Sequence, residues 1–183
     1  MERLRRPLLV LSAAALMAAA PGCGGGSDVP VLKEDIHGFR LGETFDQFKE
    51  RVGTRVAWTQ IPSGPAEPRD HMLMVTGTPD RTREIERARL TFFEGRLMEI
   101  ILYYRQTNVT KLYALRSELE ERYGNTATSP DGTIEMAYKT YWIKGPGMTI
   151  TIRRFTKKPK DELYVQYLHD ELHERFKEKT GGQ

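Results

Sequence analysis

The sequence predicts an α+β fold: an antiparallel β-sheet with helices packed on one face, arranged as two tandem helix-plus-meander units. Three observations carry that prediction. Apolar and polar residues alternate over short runs bounded by Gly, Pro, Asp and Ser, the pattern of half-buried strands joined by turns. Three other segments repeat their apolar residues at helical spacing, and each flanks a group of strands, giving the order helix, strands, helix, strands, helix. Finally, Phe48-Lys49-Glu50-Arg51-Val52-Gly53 lines up with Leu119-Glu120-Glu121-Arg122-Tyr123-Gly124 as a short internal echo.

The first element begins near Phe39. Thr44-Phe45-Asp46-Gln47 has the capping-box pattern, with Thr44 as N-cap and Gln47 reaching back to it. Phe45, Phe48 and Val52 follow at helical spacing, and Gly53 is placed to take the left-handed conformation that ends many helices. Val56–Thr59 and Met72–Thr76 read as strands, separated by Pro62-Ser63-Gly64-Pro65-Ala66-Glu67-Pro68, whose prolines deny a regular ladder. Arg87–Phe93 and Leu97–Tyr104 form a hairpin over Glu94-Gly95. The return strand is apolar on both faces, which places it centrally in the sheet. Thr110–Tyr123 is a helix with Leu112, Leu115 and Leu119 on one stripe and Gly124 as its stop. A second hairpin joins Thr133–Ile143 to Met148–Arg154 across Lys144-Gly145-Pro146-Gly147. Its apolar faces are assigned to Ile134, Met136, Tyr138, Thr140 and Trp142 on one strand, and to Met148, Ile150 and Ile152 on the other. Leu163, Val165 and Tyr167 make a last strand, and Leu168, Leu172 and Phe176 a final amphipathic helix.

The N-terminus stands apart from this pattern. Met1–Arg6 is basic, and Leu8–Ala20 is an apolar run ending in small side chains, shorter than the roughly 20 residues of a membrane-spanning helix. That layout is a secretory signal peptide. Its exit, Ala20-Pro21-Gly22-Cys23, resembles the lipobox of bacterial lipoproteins, and Cys23 is the only cysteine in the 183 residues. The resemblance implies lipid on Cys23, a stable membrane anchor and a periplasm-facing chain. Gly24 follows the cysteine in place of Asp, which implies the outer membrane. The expected organisation is a signal peptide over 1–22, an acylated cysteine and flexible tether over 23–35, and one α+β domain over 36–183 with halves 36–105 and 106–183. Formal net charge is +3, but removing Arg3, Arg5, Arg6 and Glu2 leaves the rest close to neutral. No pull toward nucleic acid follows.

Phe39-Arg40-Leu41-Gly42-Glu43-Thr44-Phe45 through Val52-Gly53 is similar to the opening segment of small envelope lipoproteins of the SmpA/OmlA type. Tandem helix-plus-meander units also resemble those of secreted β-lactamase-inhibitor-like domains. Both families work by binding other proteins, and the resemblance implies that class of role.

The residues offer little for catalysis. With Cys23 acylated there is no thiol nucleophile and no zinc–thiolate site. No serine sits in a G-x-S-x-G turn, and no glycine-rich loop opens a helix to cradle phosphate. His169 and His173 stand at i and i+4 in His169-Asp170-Glu171-Leu172-His173, a spacing that puts two ligands on one helix face. Asp170 occupies the place of the general-base Glu, and a third ligand would come from His37, His71 or a carboxylate. The bland alternative is two solvated histidines on a surface helix. Arg153, Arg154, Lys157, Lys158 and Lys160 form the densest basic segment and are candidates for contact with an anionic surface. Trp58, Trp142, Tyr103 and Tyr104 are candidates for a partner surface. The expected protein is a membrane-anchored envelope lipoprotein acting as a noncatalytic protein-binding or scaffold module, without cofactor or nucleic-acid partner. The alternatives are a small-ligand-binding lipoprotein and a metal-dependent hydrolase using His169 and His173.

Overall fold

Thr44 caps the first helix, α1 (Phe45–Val52), in both directions: its hydroxyl accepts from the Gln47 N–H at 3.2 Å, and Gln47 Oε1 accepts from the Thr44 N–H at 2.8 Å. The helix ends at Gly53, which stays right-handed at φ −56° instead of turning left-handed. Glycine is needed there because a Cβ would collide with the Lys49 carbonyl. The computed structural model describes residues 29–62, 69–124, 127–128, 138–156 and 161–181. The leader, Cys23, Ile134, Met136, Lys157, Lys158 and Lys160 lie outside them.

Two four-stranded meanders follow two helices. The first is β1 (Ala57–Ile61), β2 (His71–Thr76), β3 (Ile85–Phe93) and β4 (Arg96–Tyr104). After α2 (Val109–Tyr123) comes the second: β5 (Ala127–Thr128), β6 (Tyr138–Gly145), β7 (Met148–Phe155) and β8 (Glu162–His169). The chain closes with α3 (Asp170–Thr180). All eight strands form one sheet in the order β1-β2-β3-β4-β8-β7-β6-β5, with antiparallel neighbours throughout. Exchanging the first four strands for the last four returns the same order reversed, a pseudo-twofold arrangement that matches the helix-plus-meander repeat.

The turns follow from their residues. Phe93 pairs with Arg96, so Glu94 (φ 51°) and Gly95 (φ 69°) form a two-residue loop with both residues left-handed, the twist a hairpin needs. Gly145 pairs with Met148 across Pro146-Gly147, where proline presets the first position and Gly147 (φ 71°) the second. That turn sets the β6 register. Tyr141 and Ile143 face Ile152 and Ile150 and are buried with them, so the core face of β6 is not the one carrying Tyr138, Thr140 and Trp142.

The α+β class with its antiparallel sheet is the expected one, but the helices do not all pack on one face. The main core lies between one face of the sheet and the helices α1 and α2: Phe48, Val52, Leu112, Leu115 and Leu119 pack with Leu90, Ile100, Leu102 and Val165. β8 alternates strictly, with Leu163, Val165, Tyr167 and His169 buried on this face. On the opposite face α3 covers one end only. There Leu172 packs with Val29, Phe93 and Met98, joined by Leu168 and Phe176. Met98 reaches that face through a bulge, since Thr91 pairs with Glu99 but Phe92 pairs with Leu97.

The expected tether does not extend to Asp35. From Val29 the chain is packed: Val29 and Ile36 are buried, Leu32 N–H donates to the Leu41 carbonyl at 2.9 Å, and His169 Nε2 donates to the Pro30 carbonyl at 3.0 Å. Gly42, at φ 84°, passes so close to Pro30 that a Cβ would strike its carbonyl.

Glu43 locks α1 to this strap. Its carboxylate is 3% exposed and takes three hydrogen bonds from Arg51 at 2.7, 2.8 and 3.1 Å, while Arg51 also donates to the Gly38 carbonyl. Burial nevertheless pushes the Glu43 carboxyl above its ordinary value, against the Arg51 charge. Arg51→Met would leave that carboxylate buried and unpaired, so a loss of about 3 kcal/mol is expected in urea unfolding. A loss below about 0.5 kcal/mol would show that the pair is not the lock.

Candidate functional site

Beyond the reach of α3, no helix among the described residues packs over the second face of the sheet. Pairing registers define its rows. Thr140, Arg153, Tyr164, Tyr103 and Arg87 lie side by side on β6, β7, β8, β4 and β3, and the next row is Trp142, Thr151, Gln166, Ile101 and Arg89. Tyr103 and Tyr164 meet across the β4–β8 seam with ring centroids 5.7 Å apart, and Phe155 stacks on Tyr164 at the same distance. The Arg87 guanidinium lies 4.5 Å over the Tyr103 ring. Burial pushes the Tyr103 phenol up, with Arg89 and Arg87 opposing.

Charge on this face is partly tied down. Glu99, almost fully buried, accepts from Thr91 Oγ1 at 2.8 Å and Gln166 Nε2 at 2.6 Å, with Arg89 at 3.4 Å. Arg87 reaches Glu162 at 3.3 Å. Yet the Nε atoms of Arg87, Arg89 and Arg153 are buried among neighbouring side chains with no acceptor. Those Nε groups are closed to solvent, so an acceptor that approaches this face meets the terminal guanidinium nitrogens, which can give charge-assisted hydrogen bonds.

The sequence-predicted residues are scattered. Tyr103 and Trp142 lie on the open face with Arg153. Trp58 instead packs edge-on against Phe45 under α1, with ring centroids 6.2 Å apart, and Tyr104 lies on the helix-covered side. Arg154 points away from Arg153: it is held by the Thr107 carbonyl at 2.5 Å and Asp161 at 3.1 Å, so it is not a free surface charge. His169 and His173 do not share a helix face. His169 is the last residue of β8, 2% exposed and bonded to Pro30, and α3 starts only after it. His173 is half-buried on α3, and burial, with Lys177 next, pulls its imidazole below the ordinary value of 6.5. Neither histidine is the solvated surface residue of the bland alternative. Among the described residues no three His, Cys, Asp or Glu side chains gather to hold a metal ion. Arg87 and Arg89 were missed, although their alternation with Ala88 and Leu90 already turns them away from the core.

A second polar group sits on the helix side, beside the strap. His37, left-handed at φ 52°, bonds Asp80 through Nδ1 at 2.8 Å. Asp80 also accepts from Thr78 Oγ1 at 2.6 Å and from the hydroxyl and N–H of Thr82 at 2.8 and 3.1 Å. Partial burial raises its carboxyl, but these hydrogen bonds outweigh burial and hold it well below the usual range.

A family model described as the TP0088 domain matches residues 36–179, from Ile36 to the last turn of α3. No curated protein and no solved structure matches the chain.

The depressed carboxyl of Asp80 makes a pH-dependent contribution. Its stabilisation is present above the ordinary value of 3.8 and is lost as pH falls toward the lowered folded value. Asp80→Asn should therefore be less stable than wild type at pH 7, on the order of 1 kcal/mol. The gap should narrow below about pH 4 in melts from pH 3 to 7. A gap independent of pH would contradict this.

Proposed function

We propose, for a chain that belongs to the TP0088 domain family, a noncatalytic role: a membrane-anchored envelope lipoprotein that binds an acidic protein surface through the open face of its sheet. The observation that carries this is the set of three arginines, Arg87, Arg89 and Arg153, on the same sheet face as Tyr103, Tyr164, Phe155 and Trp142. Arginine, tyrosine and tryptophan are the residues that carry most binding energy at protein interfaces. From β2 to β6 the face is six strands wide, about 24 Å, a scale comparable with one side of a standard interface.

The anchor fits this orientation. With Val29 packed against Leu172, only residues 23–28 separate a lipidated Cys23 from the domain, a reach of about 20 Å. The strap meets the sheet at the His169 end of β8. Arg153 lies toward the other end, roughly 20 Å along the strands. A chain anchored at Cys23 thus turns Arg153 away from the membrane surface and toward a partner.

A photo-cross-linker in place of Tyr164 in intact cells should give one dominant protein adduct, and one in place of Ser117 on the solvent side of α2 should give none. Changing Arg87 and Arg153 together to Glu, with Arg89 kept as a partner of Glu99, should abolish the adduct without lowering expression. Equal adducts from both positions, or an adduct that survives the charge reversal, would contradict the proposal.

A further inference from the structure

Between α2, the N-terminal strap and the sheet lies a cleft of about 210 Å³. Its floor carries Tyr104 of β4 and Tyr167 of β8, each only 6% exposed, whose phenol groups line the cleft without a hydrogen-bond partner among the described residues. Neither hydroxyl oxygen is sealed off as the Nε groups of the sheet face are, so both are open to the cleft and can accept from a polar ligand that displaces water there. Burial raises both phenols, so they remain neutral at any physiological pH.

The charge around the cleft selects the ligand. Asp80 is already filled by His37, Thr78 and Thr82. Glu34, beside the cleft, is occupied by Arg122 and by the Tyr123 hydroxyl at 2.8 Å. Glu118 of α2, at the rim, has no hydrogen bond or ion pair among the described residues. The uncompensated charge at the cleft is therefore a carboxylate. Aliphatic wall is supplied by Leu115 and Leu119. An anion would face Glu118, and the described residues gather no ligand set for a metal ion. An ammonium group has three N–H donors and no acceptor, matching one carboxylate and two phenol oxygens, and an alkyl body matches the leucines.

We propose that this cleft binds a small primary alkylamine in its ammonium form, with Glu118, Tyr104 and Tyr167 as its polar contacts. The site is separate from the open sheet face and does not depend on what that face binds.

Calorimetric titration of the full chain in a nonionic detergent with butylamine and putrescine, and with butan-1-ol as the neutral match, tests it. Both amines should bind saturably at one site, with butan-1-ol at least about tenfold weaker. Glu118→Gln, an exposed helix position, and Tyr167→Phe, which keeps the buried ring, should each weaken amine binding at least about fivefold. Melts of both variants check that the fold is retained. Absence of saturable binding by either amine, equal binding of butan-1-ol, or wild-type affinity in both variants would overturn the proposal.

Discussion

The pairing of β4 with β8 is the constraint on which the rest depends. Five residue pairs, from Glu99–Leu168 to Tyr103–Tyr164, turn two meanders into one sheet. Each meander would otherwise present a bare edge, and β4 is apolar on both sides. The register also decides which side chains line the open face. Slipping β8 by one residue would send Tyr164 and Gln166 into the core and expose Val165 and Tyr167. In the observed register Tyr103 meets Tyr164, Gln166 reaches Glu99, and the arginines of β3 and β7 flank the rings from either side.

That arrangement explains how a sheet face without a helix over it stays ordered. Glu99 would be costly if left alone under its neighbours, and Thr91, Gln166 and Arg89 together satisfy it. Ile101 and Thr151 are buried in the same layer beneath the longer Arg and Tyr side chains. The carpet is polar enough to face water, with the half-buried guanidiniums of Arg87, Arg89 and Arg153 lying across it.

Local features were legible in the sequence because local physics determines them. The Thr44–Gln47 capping box, the Glu94-Gly95 turn, the leucine stripe of α2 and the alternation of β8 depend on neighbours a few residues away. What was not legible depends on partners far along the chain. The core face of β6 is set by its register with β7, so Tyr141 and Ile143 are buried and Trp142 is turned outward. The His169/His173 spacing implies a shared face only if the helix already includes His169, and β8 runs through that residue instead. Residues 29–35 look like linker by composition, but Val29 and Leu32 find apolar surface more than 60 residues away. Arg87 and Arg89 were visible as the polar half of an alternating strand. That they lie on the uncovered face is a tertiary fact, since among the described residues no helix packs over them.

The central claim, that the open face is an occupied binding surface, is tested most directly by hydroxyl-radical footprinting of the protein in intact cells and after purification. Tyr103, Tyr164, Phe155 and Trp142 should be protected in cells and become reactive on purification, while Tyr113, exposed on α2, reacts equally in both states. Equal reactivity of the open-face rings in both states would contradict the account.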